Sequence, residues 1–248
     1  WGTYNRHPNF YEIFGDGGTI RPNTNLMSAW DLAGKGAWEN GTQFDFGVNW
    51  RGDAAGAKAD ISLTWFQRDS KDLLVLSVPP MEGTTASYLA LDGAKVHGLE
   101  MGANFNWKRV NLNLNATWQK SRYNGVNYYL RHNPPLTYTP EWVVSARVDY
   151  TLPGDKLNLF AEYYYVDEQD VYYQNGNYRH YLDSVGTVNL GLKYSFGKGF
   201  KLSLGVNDVF DKGPEQRFRI SGSVAPDGFS ALYPLPGRMY YATMEYKF

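Results

Sequence analysis

The chain contains no cysteine, which excludes disulfide staples and thiolate metal sites. It has no uninterrupted apolar stretch of the roughly 18 residues that a membrane-spanning helix needs. Charge is nearly balanced, with a formal net charge of −1, so there is no basic surface of the kind nucleic acid requires. The opening residues, Trp1 to Pro8, show neither a basic n-region nor an apolar h-region, so they are not expected to be a signal peptide, which an exported protein would have lost or would carry on an earlier portion. No Ser, His and acid fall into a nucleophile elbow, and no glycine-rich segment leads from a strand into a helix as a phosphate loop does. Gly15 to Gly18 reads as a loop feature, and the chain is expected to be neither an enzyme nor the holder of a cofactor.

Aromatics are abundant instead. They make up 17% of the chain, as 20 Tyr, 13 Phe and 8 Trp, against 20% charged residues and 26 Gly. Tyr and Trp collect where an apolar phase meets water, because each ring is apolar and carries one polar group. A mean hydropathy of −0.49 is compatible with membrane residence for strands, since only every second residue of a β-span faces lipid.

Period-2 alternation recurs from Gly41 onward. Gly41–Arg51 sets Phe44, Phe46, Val48 and Trp50 against Gln43, Asp45, Gly47, Asn49 and Arg51. Further strands are predicted from Lys58 through the charged cluster Arg68, Asp69, Lys71 and Asp72 to about Val78, and over Ala94–Trp107, Val110–Lys120, Glu141–Tyr150, Lys156–Val166, Gly186–Phe196, Phe200–Phe210 and Gly237–Phe248. Val110–Lys120 is the cleanest, with Leu112, Leu114, Ala116 and Trp118 opposing Asn111, Asn113, Asn115, Thr117 and Gln119. Stacked asparagines do not suit a dry core, but they do suit a wall that meets water or another polar surface. Trp1 to Asn40 reads as mostly loop.

Connections alternate between short and long. Gly52–Ala57, Lys108–Arg109, Leu152–Asp155 and Gly197–Gly199 are turns, whereas Ser121–Thr139, Asp167–Ser184 and Asp211–Pro236 are long loops. Outer-membrane barrels have short periplasmic turns and longer outer loops, and this pattern predicts about nine spanning strands with Phe248 on the periplasmic side. An odd set beginning outside cannot close in the usual antiparallel way, so earlier strands are expected on a missing portion or on another polypeptide.

Four stretches resemble the C-terminal region of TonB-dependent outer-membrane receptors. They are Arg6 to Glu12, with its Arg-x-Pro start; Gly93 to Glu100, ending in Gly98, Leu99 and Glu100; Gly205 to Lys212, with Asp208 interposed in an Asn-(Leu/Val)-Phe-Asp-Lys pattern; and Pro236, Gly237 and Arg238 through the terminal Phe248. The resemblance implies that residues 1–248 form the C-terminal part of a 22-stranded transmembrane antiparallel β-barrel. The plug domain and the remaining N-terminal strands would lie outside this chain. It further implies an active transporter in the outer membrane of a Gram-negative bacterium, in contact with outer-membrane lipid. Such a transporter would be energised by the TonB complex through the plug and its TonB box. Phe248 would be the signal read by the barrel assembly machinery. A passive porin-like channel and a structural or adhesive barrel are the competing functions.

Candidate substrate-binding residues fall in the three long loops: Tyr128, Tyr129, Arg131 and His132; Tyr173, Tyr178, Arg179 and His180; and Arg217, Phe218, Arg219 and Phe229. Aromatic and Arg side chains combine contact area with fixed polar handles. Packing of the loops on one another accounts for the same residues without a ligand. His132 and His180 lack a second ligand at metal spacing, so no metal site is assigned. Among the inward charges, Asp45, Arg147 and Glu162 are expected to contact the plug. The charged cluster at Arg68–Asp72 marks emergence from the membrane.

Overall fold

The computed structural model describes residues 1–6, 39–77, 87–91, 93–124, 136, 138–174, 178–197, 199–212, 215–220, 223–229 and 237–247. Its elements are all strands: β1 (Gly2–Arg6), β2 (Glu39–Ala54), β3 (Ala57–Lys71), β4 (Leu73–Ser77), β5 (Ser87–Leu91), β6 (Ala94–Asn106), β7 (Val110–Tyr123), β8 (Trp142–Thr151), β9 (Leu157–Val166), β10 (Gln169–Gln174), β11 (Tyr178–Leu182), β12 (Val185–Gly197), β13 (Phe200–Asn207), β14 (Glu215–Ile220), β15 (Ser223–Phe229) and β16 (Met239–Tyr246). Ten of them form one antiparallel sheet in the order β1-β2-β3-β6-β7-β8-β9-β12-β13-β16. It is an up-and-down meander whose edges are β1 and β16. The two smaller sheets, β4-β5 and β10-β11-β14-β15, are built from the connections at one end.

The alternation read from the sequence sets the register. Phe46 lies opposite Trp65, Val48 opposite Leu63 and Trp50 opposite Ile61, so their side chains share a face. Leu112 pairs with Phe105 on one side and Val148 on the other. The apolar face is uncovered. Phe44 is 47% exposed, Leu190 44% and Tyr240 73%, whereas the buried hydrophobic side chains among the described residues are confined to Ala57, Ala59, Ala94, Tyr123, Val166, Leu182 and Val185. A water-soluble two-layer protein hides its strand faces in a core. A single layer with a continuous apolar surface of this extent needs an apolar surrounding.

Turns close where chemistry allows. Ala55 and Gly56, at φ 51° and 76°, join β2 to β3 in two residues, the primed-turn geometry that matches strand twist. A sharper event separates β3 from β4 and β5 from β6. Asp72 has φ 54° and Gly93 has φ 134°, and a Cβ on Gly93 would overlap the Ser70 carbonyl. The β3–β6 ladder ends at the pair Ser70–Ala94, and the hairpin restarts beyond the kink as the ladder Leu73–Leu91 to Ser77–Ser87.

The structure corrects the expected layout in three places. Nine strands become ten in the main sheet, because Gly2–Arg6 pairs with Glu39–Gln43 and is not loop. β3 stops at Lys71 instead of running on to Val78. The loops Asp167–Ser184 and Asp211–Pro236 contain β10, β11, β14 and β15, and β11 pairs with β14, so the two loops are one sheet. Their strands carry aromatics and charges without a simple apolar alternation, which hid them. A strand extension around Trp30 to Trp38 lies outside the described residues.

Leu114, half-exposed on the apolar face near the middle of β7, tests the environment of that face. In the protein refolded into lipid vesicles, Leu114→Arg is expected to lower unfolding stability by about 2–4 kcal/mol in a urea titration. A change below about 0.5 kcal/mol, the range of ordinary surface substitutions, would place this face in water.

Candidate functional site

The opposite face is polar and its residues align in rows across the strands. One row passes from Arg51 to Asp60, Asn104, Asn113, Arg147, Glu162 and Asn189, each directly opposite the next. The row beneath passes through Asp53, Lys58, Asn106, Asn111, Asp149, Phe160, Gly191, Gly205 and Tyr241. These rows cross seven and nine strands because period-2 alternation holds in phase through every hairpin.

The network is densest around Arg147. Its Nε donates to Asp149 Oδ2 at 2.8 Å and its Nη2 to Asp149 Oδ1 at 3.0 Å, a two-pronged contact. Nη1 lies 4.0 Å from Glu162 Oε1, and the guanidinium sits 4.1 Å from the Phe160 ring centroid. Glu162 in turn accepts from Asn189 Nδ2 at 3.0 Å, and Asn189 Oδ1 accepts from the Asp208 backbone N–H at 2.9 Å. Beneath Arg147 the surface is shaped by missing side chains. A Cβ on Gly191 would overlap the Phe160 ring and one on Gly205 the Tyr241 ring, so both aromatics lie flat against bare backbone. Farther along, Asn115 Nδ2 donates to Asn113 Oδ1 at 2.7 Å, and Asn111 Nδ2 donates to Asn106 Oδ1.

Arg51 meets Asp60 with Nη2 to Oδ2 at 2.6 Å, but the Arg51 side chain is 85% exposed where that of Arg147 is 31% exposed. Screening by water makes the Arg51 pair the weaker of the two.

The structure joins Arg147 and Glu162, both expected inward charges, but not Asp45. Asp45 lies opposite Phe66 and accepts from Gln43 Nε2 on its own strand, at 2.9 Å to Oδ2. Asp149, another inward charge by parity, and Asn189 also belong to the cluster. The signal for them was available, because once hairpin register is fixed their positions follow by counting. His97 packs edge-on to Trp118 on the apolar face, with centroids 6.1 Å apart. In the charged cluster, Lys95 Nζ reaches Asp69 Oδ1 at 3.5 Å.

Of the outer-loop candidates, Tyr128, Tyr129, Arg131 and His132 lie outside the described residues, as does Phe248. Tyr173 is opposite Arg179, Arg179 opposite Arg219, and His180 opposite Phe218. Tyr178 is opposite Ile220, Arg217 opposite Tyr181, and Phe229 opposite Glu215. Eight candidates from two loops therefore share one sheet.

Comparison with known proteins gives a consistent result. The family described as TonB dependent receptor-like, beta-barrel matches residues 1–209. The chain is 24% identical over 246 aligned residues to the probable TonB-dependent siderophore receptor PirA of Acinetobacter baumannii, covering 85% of this chain and 30% of that protein. Its fold resembles the copper transporter OprC at a TM-score of 0.70 and 20% identity, over 99% of this chain and 36% of that one. It also resembles a Q482A mutant of the ferric enterobactin receptor PfeA from Pseudomonas aeruginosa bound to enterobactin. There the TM-score is 0.65 at 20% identity, over 98% of this chain and 37% of that one. The chain belongs to the TonB-dependent outer-membrane receptor family. It is an outer-membrane β-sheet portion of such a receptor, and it spans about a third of the length of the relatives it matches.

A double-mutant cycle on Arg147→Met and Asp149→Asn, read by urea unfolding of the receptor in vesicles, is expected to give a coupling of about 0.5–1 kcal/mol. The corresponding cycle on Arg51→Met and Asp60→Asn is expected to give less. Equal couplings, or a larger one at Arg51, would contradict the ranking by exposure.

Proposed function

We propose that this chain is the C-terminal portion of the barrel of a TonB-dependent active transporter, which binds a scarce solute at the cell surface and imports it across the outer membrane. The observation that carries the reading is the two-faced sheet. Ten strands keep one apolar face exposed while the other holds aligned rows of Asn, Asp, Arg and Glu. An apolar exterior suits hydrocarbon, and a hydrogen-bonding interior suits a water-filled or protein-filled lumen.

Ten strands covering about a third of the relatives' length are consistent with a 22-stranded whole, its remaining strands and plug lying outside residues 1–248. The Arg147–Asp149–Glu162–Asn189 network would form part of the wall against which the plug rests. Its charges of both signs suit contact with protein better than the steering of one class of ion. The sheet formed by the second and third loops would stand at the outer mouth and take part in capture. Energy would enter through the plug from the TonB complex, and the barrel assembly machinery would insert the strands into the outer membrane. The relatives named above include a siderophore receptor, a copper transporter and a ferric enterobactin receptor; the solute of this chain is proposed only as a scarce one taken up against its gradient.

Planar-bilayer recording separates this from passive diffusion. The purified receptor is expected to show no steady ion conductance, and uptake of its solute by whole cells is expected to stop when a protonophore collapses the proton-motive force. A stable open conductance together with protonophore-insensitive uptake would make the protein a diffusion channel.

A further inference from the structure

The apolar face of the main sheet changes character abruptly near the end that carries the long connections. In antiparallel strands, directly opposed residues share a face, and so do residues two apart along a strand. One row of this face is Phe46–Trp65–Leu99–Trp118–Trp142, aromatic on every strand except β6. The next row toward the long connections is Phe44–Gln67–His97–Lys120, and the one beyond it is Thr42–Asp69–Lys95–Arg122. Lys71, two residues past Asp69, takes the same face opposite Asn40. Lys71, Lys95, Lys120 and Arg122 are all exposed. A row of aromatics marks where a membrane-spanning wall meets the headgroups, so these cations stand at headgroup level.

Snorkelling accounts for a scattered lysine at such a boundary. It does not account for the clustering. Lys95 and Arg122 are directly opposed on neighbouring strands, and like charges so placed destabilise a strand pair. Asp69 is the acidic position in these two rows. Its Oδ1 lies 3.5 Å from Lys95 Nζ, and its Oδ2 accepts from Gln67 Nε2 at 2.7 Å. Lys71, Lys120 and Arg122 have no ion-pair partner among the described residues. Neighbouring strands lie about 5 Å apart and next-but-one residues about 7 Å, so the charges rise from one small area. The patch is also local. The same face of β8, β9 and β12 has no lysine or arginine, and ends in Trp142, Tyr165 and Gly186.

We propose that the outer end of β3, β6 and β7 is a binding site, on the outside of the wall, for the phosphorylated glycolipid of the outer leaflet. Lys95, Lys120 and Arg122 hold its phosphates, and the aromatic row below them meets its acyl chains. A phosphate group brings negative charge and several acceptor oxygens, which ammonium and guanidinium donors match. The order of the rows, cations above Trp65 and Trp118, is the order of an amphiphile with its headgroup outermost. A free phosphate ion would leave the aromatic row unused. The inference needs no transport activity. It rests on the outer-membrane placement of the chain and on the long connections lying outside the cell.

The full receptor, purified in detergent, is titrated with rough lipopolysaccharide, with its phosphatase-treated form and with phosphatidylglycerol, and bound lipid is counted by native mass spectrometry. Binding of intact lipopolysaccharide is expected, weakening as salt rises. Affinity is expected to fall by about tenfold or more in the Lys95→Gln/Lys120→Gln/Arg122→Gln triple variant, and comparably when the lipid has lost its phosphates. Lys95→Arg/Lys120→Arg is expected to keep the binding. Lys201→Gln, on the inner face near the short turns, is expected to leave it unchanged. Heat-dependent migration in gels checks that each variant is folded, and the phosphatase arm on the unaltered receptor carries the test if the triple variant is not. Unchanged binding by the triple variant, or equal binding of phosphatidylglycerol or of the dephosphorylated lipid, would overturn the proposal. So would displacement of the lipid by inorganic phosphate at equal concentration. Orientation is read separately by labelling Tyr138→Cys, in the exposed connection between β7 and β8, in intact cells with a membrane-impermeant maleimide after any cysteine elsewhere in the receptor has been replaced. Failure to label would overturn the outer-leaflet placement, whereas labelling together with cation-independent lipid binding would overturn the site alone.

Discussion

In hydrocarbon a backbone N–H or C=O has no partner except another backbone, and leaving one unpaired costs several kcal/mol. Continuous pairing is therefore the constraint on which the rest of this molecule depends. Nine antiparallel ladders, from Gly2–Gln43 at one edge to Phe200–Tyr246 at the other, meet it across the sheet. Once the ladders are fixed, each side chain has only two faces to choose from. The sequence sends Phe46, Leu63, Leu190 and Tyr240 to one face and Asn113, Arg147, Glu162 and Asn189 to the other. Slipping any hairpin by one residue would bring polar and apolar positions together, so the pattern also holds the register.

Register then generates chemistry that no single strand contains. Arg147, Glu162 and Asn189 are far apart in the chain and adjacent in the wall, and their contacts extend to the start of the Asp208–Asp211 turn through Asn189 and the Asp208 amide. The glycines beneath serve the same end. Gly191 and Gly205 let Phe160 and Tyr241 lie down on the sheet, and Phe160 offers its face to the Arg147 guanidinium. The polar wall is thus a layered surface, flat aromatics below and a charged network above.

Much of this was legible in the sequence. Strict alternation identified nine of the ten strands of the main sheet, and short-long spacing of the connections gave their topology. The inward placement of Arg147 and Glu162 followed from parity alone. The missing pieces have physical reasons. Gly2–Arg6 is too short to show a period and is recognisable only through its partner, Glu39–Gln43. β10, β11, β14 and β15 carry aromatic residues at positions of both faces, so alternation carries no signal there; long-range pairing makes them strands. The kink at Asp72 and Gly93 depends on two positive-φ residues meeting across a ladder, which neither segment reveals alone. Asp45 was grouped with Arg147 and Glu162 by parity, but parity says nothing about distance along the sheet, and its partner is Gln43.

The central claim is that adjacent residues of one strand see different media, and because residues 1–248 hold no cysteine, single spin labels can be placed in these strands one at a time once any cysteine elsewhere in the receptor has been replaced. Nitroxides placed one at a time on Asn111 through Ala116 of β7 in the membrane-embedded receptor would report collision rates with oxygen and with a water-soluble nickel chelate. The account predicts a two-residue oscillation, with oxygen contact high and chelate contact low at positions 112, 114 and 116 and the reverse relation at 111, 113 and 115. Oscillation absent, or chelate contact highest at 112, 114 and 116, would contradict it.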